Sequence, residues 1–326
     1  VRLDGNDPAA IERAAALLAA GELVAFPTET VYGLGARADD DAAVSKIFAA
    51  KGRPADHPLI VHVAQASDAD GFVARMPKVA QRLIDAFWPG PLTVIVPRAA
   101  LVARAAAAGQ DNIGLRCPAH PVAHKLLQAA RRLGVHGVAA PSANRFGRIS
   151  PTRAEHVIEA FGGALAVLDG GACQVGIESS IVDCSRGRPV LLRPGVLTRA
   201  RIEDAAGQAL MEPDENAPRA PGTLDAHYAP RARLRLMPTH TLRMALTLLG
   251  EQAPSVAVYS RSLPANIAHG VMHRRMPSRP EAAAHELFSV LREIDAAGVR
   301  LIWVEEPPAG PEWDGVRDRL QRAAAA

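Results

Sequence analysis

Short apolar runs alternate with helix-length segments along most of this chain, and few architectures satisfy that alternation. Leu23–Phe26, Leu59–Val63, Leu92–Val96, Ile113–Arg116, Gly137–Ala140, Ala164–Leu168, Ser179–Asp183 and Pro189–Leu192 read as strands. Ala9–Ala20, Asp39 to about Ala50, Lys78–Phe87 and Pro121–Leu133 read as helices. Asp7-Pro8 supplies an N-cap with proline at the first helical position, and Gly21 a C-cap. Thr28–Arg37, polar and punctuated by glycines, reads as a loop. Strands interleaved with helices pack as layers, so the fold class is α/β.

Length divides the pattern. A chain of 326 residues suits two domains. From Gly207 to Arg231 the texture changes: Pro213, Pro218, Pro221 and Pro230 stand among Glu212, Asp214 and Glu215, with few large apolar residues. That stretch reads as a linker. The expected division is a catalytic domain at 1–206, a linker at 207–232 and a smaller α/β domain at 233–326. In the last, Leu234–Met237, Val256–Tyr259, Val271–His273 and Leu301–Val304 read as strands, and Thr241–Leu249, Pro280–Ala297 and Glu312–Arg322 as helices.

Composition removes several classes. Hydrophobic residues make up 48% and charged residues 22%, which excludes wholesale disorder, a collagen-like chain and a coiled-coil rod. No apolar run reaches the roughly 18 residues of a membrane-spanning helix. The Ala-rich start is broken by Glu12, Arg13, Gly21 and Glu22, which does not suit a secretory signal. Against 34 acids stand 37 basic residues, too slight an excess to argue for DNA or a membrane surface. Three cysteines (Cys117, Cys173, Cys184) without a C-x-x-C pair argue against a disulfide scaffold or zinc knuckle and point to a reducing, cytoplasmic compartment.

No phosphate loop of the G-x-x-x-x-G-K-[ST] type, H-E-x-x-H or G-x-S-x-G occurs. Gly33–Ala38 fits the dinucleotide fingerprint G-x-G-x-x-G/A, but the polar stretch Pro27–Tyr32 separates it from its strand, and no ribose-binding acid follows at the right distance. That reading is rejected.

What remains is a set of polar residues at strand and helix ends. Lys51-Gly52-Arg53-Pro54 presents two cations on a turn stiffened by proline. Such a turn suits polyphosphate, although cations at a helix C-terminus are also ordinary capping. His62 lies on the strand face opposite Leu59, Val61 and Val63; a lone strand histidine is most often a core residue. His57 lies five residues away, the wrong parity for a shared metal, and no metal site is expected. Pro141-Ser142-Ala143-Asn144 follows a strand directly, where α/β sheets collect ligands, or forms a plain turn. Glu178-Ser179-Ser180 enters a strand, and Arg193-Pro194-Gly195 leaves one. If these groups and Arg116 converge, the site is cationic, polar and free of an activated nucleophile, which favours phosphate chemistry by positioning.

In this order the motifs resemble those of the YrdC-like family of threonylcarbamoyl-AMP synthases. They run from Pro27-Thr28-Glu29-Thr30-Val31-Tyr32-Gly33-Leu34-Gly35 through Lys51-Gly52-Arg53-Pro54 with Pro58-Leu59, Gly90-Pro91-Leu92-Thr93, Arg116-Cys117-Pro118 and Pro141-Ser142-Ala143-Asn144 to Glu178-Ser179-Ser180 and Arg193-Pro194-Gly195. Ala220-Pro221-Gly222-Thr223 and His227-Tyr228-Ala229-Pro230 resemble the linker of the family's long form. The resemblance implies a twisted, open mixed sheet with a second, Rossmann-like domain. It also implies the reaction: L-threonine, bicarbonate or CO2, and ATP give threonylcarbamoyl-AMP and pyrophosphate, the first step of tRNA t6A modification. Mg²⁺ would be held mainly by the ATP phosphates, and a downstream tRNA threonylcarbamoyl transferase would take the product.

Residue by residue, the resemblance implies threonine binding by Thr30, His62, Arg116 and Ser179. It implies ATP binding by Lys51, Arg53, His57, Asn112, Ser142, Asn144, Arg193 and Tyr228, with Lys51 and Arg53 catalytic. Relatives often carry Asn at His57, Thr at Asn112 and Thr at Ser180, and some have Lys-Tyr where Leu224-Asp225-Ala226 stands. Two rivals share the pattern. One is an RNA-binding module with a concave basic face, and weak RNA binding is compatible with the enzyme too. The other is an enzyme using carbamoyl phosphate, whose relatives carry domains that 326 residues do not hold. Threonine dependence separates the enzyme from the RNA binder.

Overall fold

The computed structural model describes residues 1–264 and 268–326. The chain forms two compact units, one of residues 1–146 with 150–223, the other of 147–149 with 224–326.

The first unit is built on one ten-stranded mixed sheet. Its strands are β1 (Arg2–Asp4), β2 (Val24–Phe26), β3 (Gly33–Arg37), β4 (Ile60–His62), β5 (Leu92–Pro97), β6 (Asn112–Arg116), β7 (Val138–Ala139), β8 (Ala166–Asp169), β9 (Ser180–Asp183) and β10 (Val190–Arg193). In space they run β1-β8-β2-β3-β7-β4-β6-β5-β9-β10. The helices are α1 (Pro8–Ala19), α2 (Asp41–Lys51), α3 (Lys78–Phe87), α4 (Pro121–Arg132), α5 (Ala154–Phe161) and α6 (Arg199–Ala206). Local chemistry starts them as expected: the Asp7 carboxylate accepts from the Ala9 amide (2.9 Å), and Asp40 accepts from those of Ala42 and Ala43.

The two faces of this sheet are not covered alike. One face carries Ala25, Val61, Val94, Leu115 and Val182 and is packed by α2, α3, α5 and α6. The other is covered by α1 and α4 only over Val24, Phe26, Val138 and Leu168. Beyond β7 that second face holds Ile60, Ile95, Ile181, Val190 and Leu192, and Ala217 and Ala220 of the linker pack on it in place of a helix. Alternation along β4, β5 and β6 puts His62, Thr93, Asn112 and Arg116 on this same half, packed by the linker rather than by a helix.

One sequence expectation is corrected. Gly33–Arg37 is a strand, not loop: β3 pairs antiparallel with β2 (Phe26 with Gly33, Val24 with Gly35). The glycines disguise it. A Cβ at Gly35 would lie 2.8 Å from both the Phe26 ring and Val138 Cγ1, so only glycine lets β3 pass between them. The spurious dinucleotide glycines are therefore strand residues that open no helix. Strand β1 and helices α5 and α6 are short elements that the pattern does not reveal.

The second unit is a four-stranded parallel sheet of β11 (Arg233–Met237), β12 (Val256–Ser260), β13 (Met272–Arg275) and β14 (Leu301–Glu305), ordered β11-β14-β12-β13. Helices α7 (Thr239–Thr247), α8 (Pro280–Ala296) and α9 (Asp314–Ala324) accompany it. Leu242 and Leu246 of α7 pack on Val256, Val258 and Trp303. Parallel strands, with α7 joining β11 to β12, α8 joining β13 to β14 and the last strand returning to the centre, give the expected Rossmann-like arrangement.

Candidate active site

Arg116 ends β6, and the sheet sets it beside His62, its register partner on parallel β4. The loop between β2 and β3 adds Glu29 and Thr30. Arg116 Nη1 donates to Thr30 Oγ1 at 2.9 Å, Nη2 to Glu29 Oε1 at 2.6 Å, and Nε to the Gly90 carbonyl at 3.2 Å. A guanidinium has five N–H groups, so one on each terminal nitrogen remains to receive a carboxylate. All of Glu29, Thr30, His62 and Arg116 are buried. His62 meets Phe26 edge-on, and its buried Nδ1 makes no hydrogen bond of good geometry among the described residues. Burial, assisted by the Arg116 charge, pushes the His62 pKa down to about 3, so the ring is neutral at physiological pH.

Ser179 faces the same half-sheet. Its hydroxyl lies 2.8 Å from Thr93 Oγ1, and its carbonyl accepts from Arg193 Nε and Nη2 (3.1 and 2.9 Å). Arg193 Nη1 donates to the Pro221 carbonyl of the linker at 2.8 Å. Gly195 is a requirement of this packing: a Cβ there would stand 2.6 Å from the Ser180 amide nitrogen.

Lys51, the last residue of α2, points into the interior. Its ammonium donates to the carbonyls of Ser142 (2.5 Å) and Asn144. The 141–144 turn is docked on β3 and its entry by Leu34 N–H to the Pro141 carbonyl and Ala143 N–H to that of Tyr32, both 2.8 Å. Phe146 N–H bonds the Lys51 carbonyl at 3.0 Å. The Phe146 ring lies 5.6 Å from the Arg53 guanidinium and 5.3 Å, edge-on, from His57. Arg53 Nη2 also donates to the Pro58 carbonyl. Burial, then the neighbouring Arg53 charge, holds Lys51 well below the ordinary lysine range, and Glu178 opposes this. Glu178 accepts from the Ser150 hydroxyl and adjoins Ser179, so the carboxylate whose charge acts on Lys51 sits next to the Ser179 group.

The sequence-expected residues thus form two neighbouring sets in the first unit: Thr30, His62, Arg116 and Ser179, and Lys51, Arg53, His57, Ser142 and Asn144. Arg193 reaches the first set through Ser179. Asn112 opens β6 on the same face, about 13 Å from Arg116 at roughly 3.3 Å per residue. Tyr228 lies in the second unit, buried at φ +61° between Phe288 (5.4 Å) and the Arg319 guanidinium (5.5 Å). Glu29, Thr93 and Glu178 lie inside the motifs and Phe146 two residues beyond Asn144, yet only tertiary contacts reveal what each touches.

The first part of the linker belongs to this unit. Arg219 pairs with Asp56 at 3.1 Å, and its amide bonds Gln110 Oε1 at 3.0 Å. No group of three His, Cys, Asp or Glu side chains among the described residues is arranged to hold a metal ion. No helix among them is long and apolar enough to cross a membrane.

Residues 16–195 match the Sua5, YciO and YrdC family model (Telomere recombination), and residues 197–325 match the threonylcarbamoyl-AMP synthase, C-terminal domain. The chain is similar to the threonylcarbamoyl-AMP synthase of Pyrococcus abyssi, 39% identical over 96% of this chain and 94% of that one. It is equally similar, at 39%, to that of Bacillus subtilis over 99% and 94% of the two chains. The crystal structure of P. abyssi Sua5 complexed with L-threonine superposes with a TM-score of 0.90 at 35% identity, covering 99% of this chain and 97% of that one. With both of its parts matched, the chain belongs to the Sua5/YciO/YrdC family, in the form that carries the threonylcarbamoyl-AMP synthase C-terminal domain.

Proposed function

We propose that this chain is an L-threonylcarbamoyladenylate synthase, a nucleotidyltransferase that converts L-threonine, bicarbonate and ATP to threonylcarbamoyl-AMP and pyrophosphate. The observation that carries the reading is that one unit, built on one sheet, holds both an oriented arginine fork at the end of β6 (Arg116 with Thr30) and a buried lysine at the end of α2 (Lys51). The first suits an amino-acid carboxylate and the second a phosphate. Full-length similarity to proteins of that name supports it.

In this reading Arg116 receives the threonine carboxylate, while Thr30, neutral His62 and Ser179 orient its amine and hydroxyl. Bicarbonate takes up a proton and loses water to give CO2, the ammonium releases a proton to solvent and the free amine adds to CO2 with loss of a second proton, and the carbamate oxygen attacks the α-phosphorus of ATP in line as pyrophosphate leaves. Lys51, Arg53 and Arg193 offset the charge that builds on the phosphoryl oxygens. Holding both reactants in place supplies much of the rate, since orientation contributes roughly 7–11 kcal/mol in well-aligned cases. His57, Asn112, Ser142 and Asn144 line the nucleotide side. Mg²⁺ would come in on the ATP phosphates.

The linker strap that packs on this sheet through Ala217, Ala220 and Pro221 is assigned the part of a lid that keeps the carbamate from water. The mixed anhydride formed would pass to a tRNA threonylcarbamoyl transferase, aided by weak RNA affinity. A reducing cytoplasm suits the three unpaired, buried cysteines.

The test is pyrophosphate release from ATP, Mg²⁺ and bicarbonate with and without L-threonine. Threonine-dependent release and detection of the adenylate support the reading; release indifferent to threonine overturns it.

A further inference from the structure

We propose that Glu29 is a positioning residue whose buried pairing with Arg116 makes the amino-acid end of the site select a zwitterion over a simple carboxylate. This rests on the threonine reading above and extends it to a residue that carries no assigned role.

Glu29 is clamped at both oxygens. Oε1 accepts from Arg116 Nη2 at 2.6 Å, and Oε2 accepts from the Ala119 amide at 3.0 Å. Both side chains of the pair are less than a tenth exposed. Two consequences follow. The first is geometric: with Thr30 and Gly90 holding its other edges, Arg116 is fixed in one plane before any ligand arrives.

The second consequence is electrostatic. Arg116 is already paired, and the other groups meeting the cluster, Thr30, Thr93 and Ser179, carry no charge. His62 and, on the Glu29 side, His120 are both driven toward the neutral form by burial. Arg193, the remaining cation, is directed at the Ser179 and Pro221 carbonyls, and the buried Glu178 carboxylate next to Ser179 supplies one negative charge on the same side.

A monoanion placed on Arg116 would therefore add an uncompensated buried charge, which is costly. An amino acid brings its own cation and leaves the sum at zero. Once the amine becomes a carbamate that cation is gone, and the new negative charge is drawn toward the Lys51 and Arg53 side.

The experiment uses the full-length enzyme and two ligands, L-threonine as substrate and 3-hydroxybutanoate, which lacks the amine, as competitor. In Glu29→Gln the cluster gains net positive charge. The threonine KM should rise about tenfold or more, the ATP KM should stay within about twofold, and 3-hydroxybutanoate should gain at least about tenfold relative to threonine, a shift equivalent to 1.4 kcal/mol. In Arg116→Gln the sign reverses, and the competitor should lose relative to threonine. The double variant should return toward the wild-type ratio. If Glu29→Gln does not fold, Arg116→Gln and the double variant still carry the comparison.

Equal weakening of both ligands, or an unchanged ratio in a wild-type-active background, would overturn the role of Glu29 while leaving the synthase reading intact. A wild-type enzyme that ignores threonine would overturn the synthase reading itself.

Discussion

Thr30 and Arg116, 86 residues apart in the chain, are joined by a buried 2.9 Å hydrogen bond. The bond makes the hydroxyl of one loop the guide for the guanidinium of a strand end. With Glu29 it turns a flexible side chain into a fixed fork, which is the condition for reading a small carboxylate with some selectivity.

Thr93 should matter through Ser179 rather than through substrate. Thr93→Val removes a buried 2.8 Å hydrogen bond to the Ser179 hydroxyl without emptying the site. A bond of this kind contributes about 1 kcal/mol, so we expect the threonine KM to rise about fivefold, with the ATP KM unchanged. Thr93→Ser, which keeps the hydroxyl, should stay near wild type. Steady-state kinetics on both variants checks this.

Lys51 holds two carbonyls as well as facing the nucleotide side. Lys51→Ala should abolish measurable turnover and also destabilise the fold by about 1–3 kcal/mol per orphaned carbonyl, read by urea unfolding. Because burial lowers its pKa, the alkaline limb of kcat should fall below the ordinary lysine value of 10.5. The charged form is the useful one, so activity is lost as pH rises through that lowered pKa. A pH profile in which any residual activity of Lys51→Arg keeps the same limb would contradict the assignment.

His62 predicts an acid-side effect on stability. Its pKa falls from 6.5 in the unfolded chain to about 3 in the fold, so the unfolded state binds the extra proton between those values. Stability is therefore complete above 6.5 and declines as pH falls, by up to about 1.4 kcal/mol per pH unit from this group. Urea midpoints measured from pH 7 to 4 should decline less steeply in His62→Gln than in wild type.

Gly195→Ala tests the close approach at the β9 entry. The added Cβ would meet the Ser180 amide nitrogen at 2.6 Å and the hydroxyl at 2.8 Å, and backbone cannot swing aside as a long side chain can. We expect a loss of about 1–3 kcal/mol in stability, together with a raised threonine KM from the displaced Ser179. Thermal melts and kinetics decide it; a wild-type KM would mean that the strand entry yields.

Much of this protein is written in local chemistry. Alternation and capping place most strands and helices because a strand's period of two and a helix's N-cap are properties of a few adjacent residues. The motifs at Lys51, Ser142, Ser179 and Arg193 are legible for the same reason: each is a short run at the end of an element. Gly33–Arg37 reads as loop from the sequence because its glycines answer to Phe26 and Val138, which approach from other strands. Only the tertiary structure decides that Arg116 meets Glu29 and Thr30, that Thr93 faces Ser179, and that half of one sheet face is left without helices. Those facts depend on strand order and register, in which β4, β6, β5 and β9 become neighbours out of chain sequence. Burial then sets the charges of Lys51 and His62, and burial belongs to the packed whole rather than to any stretch of chain.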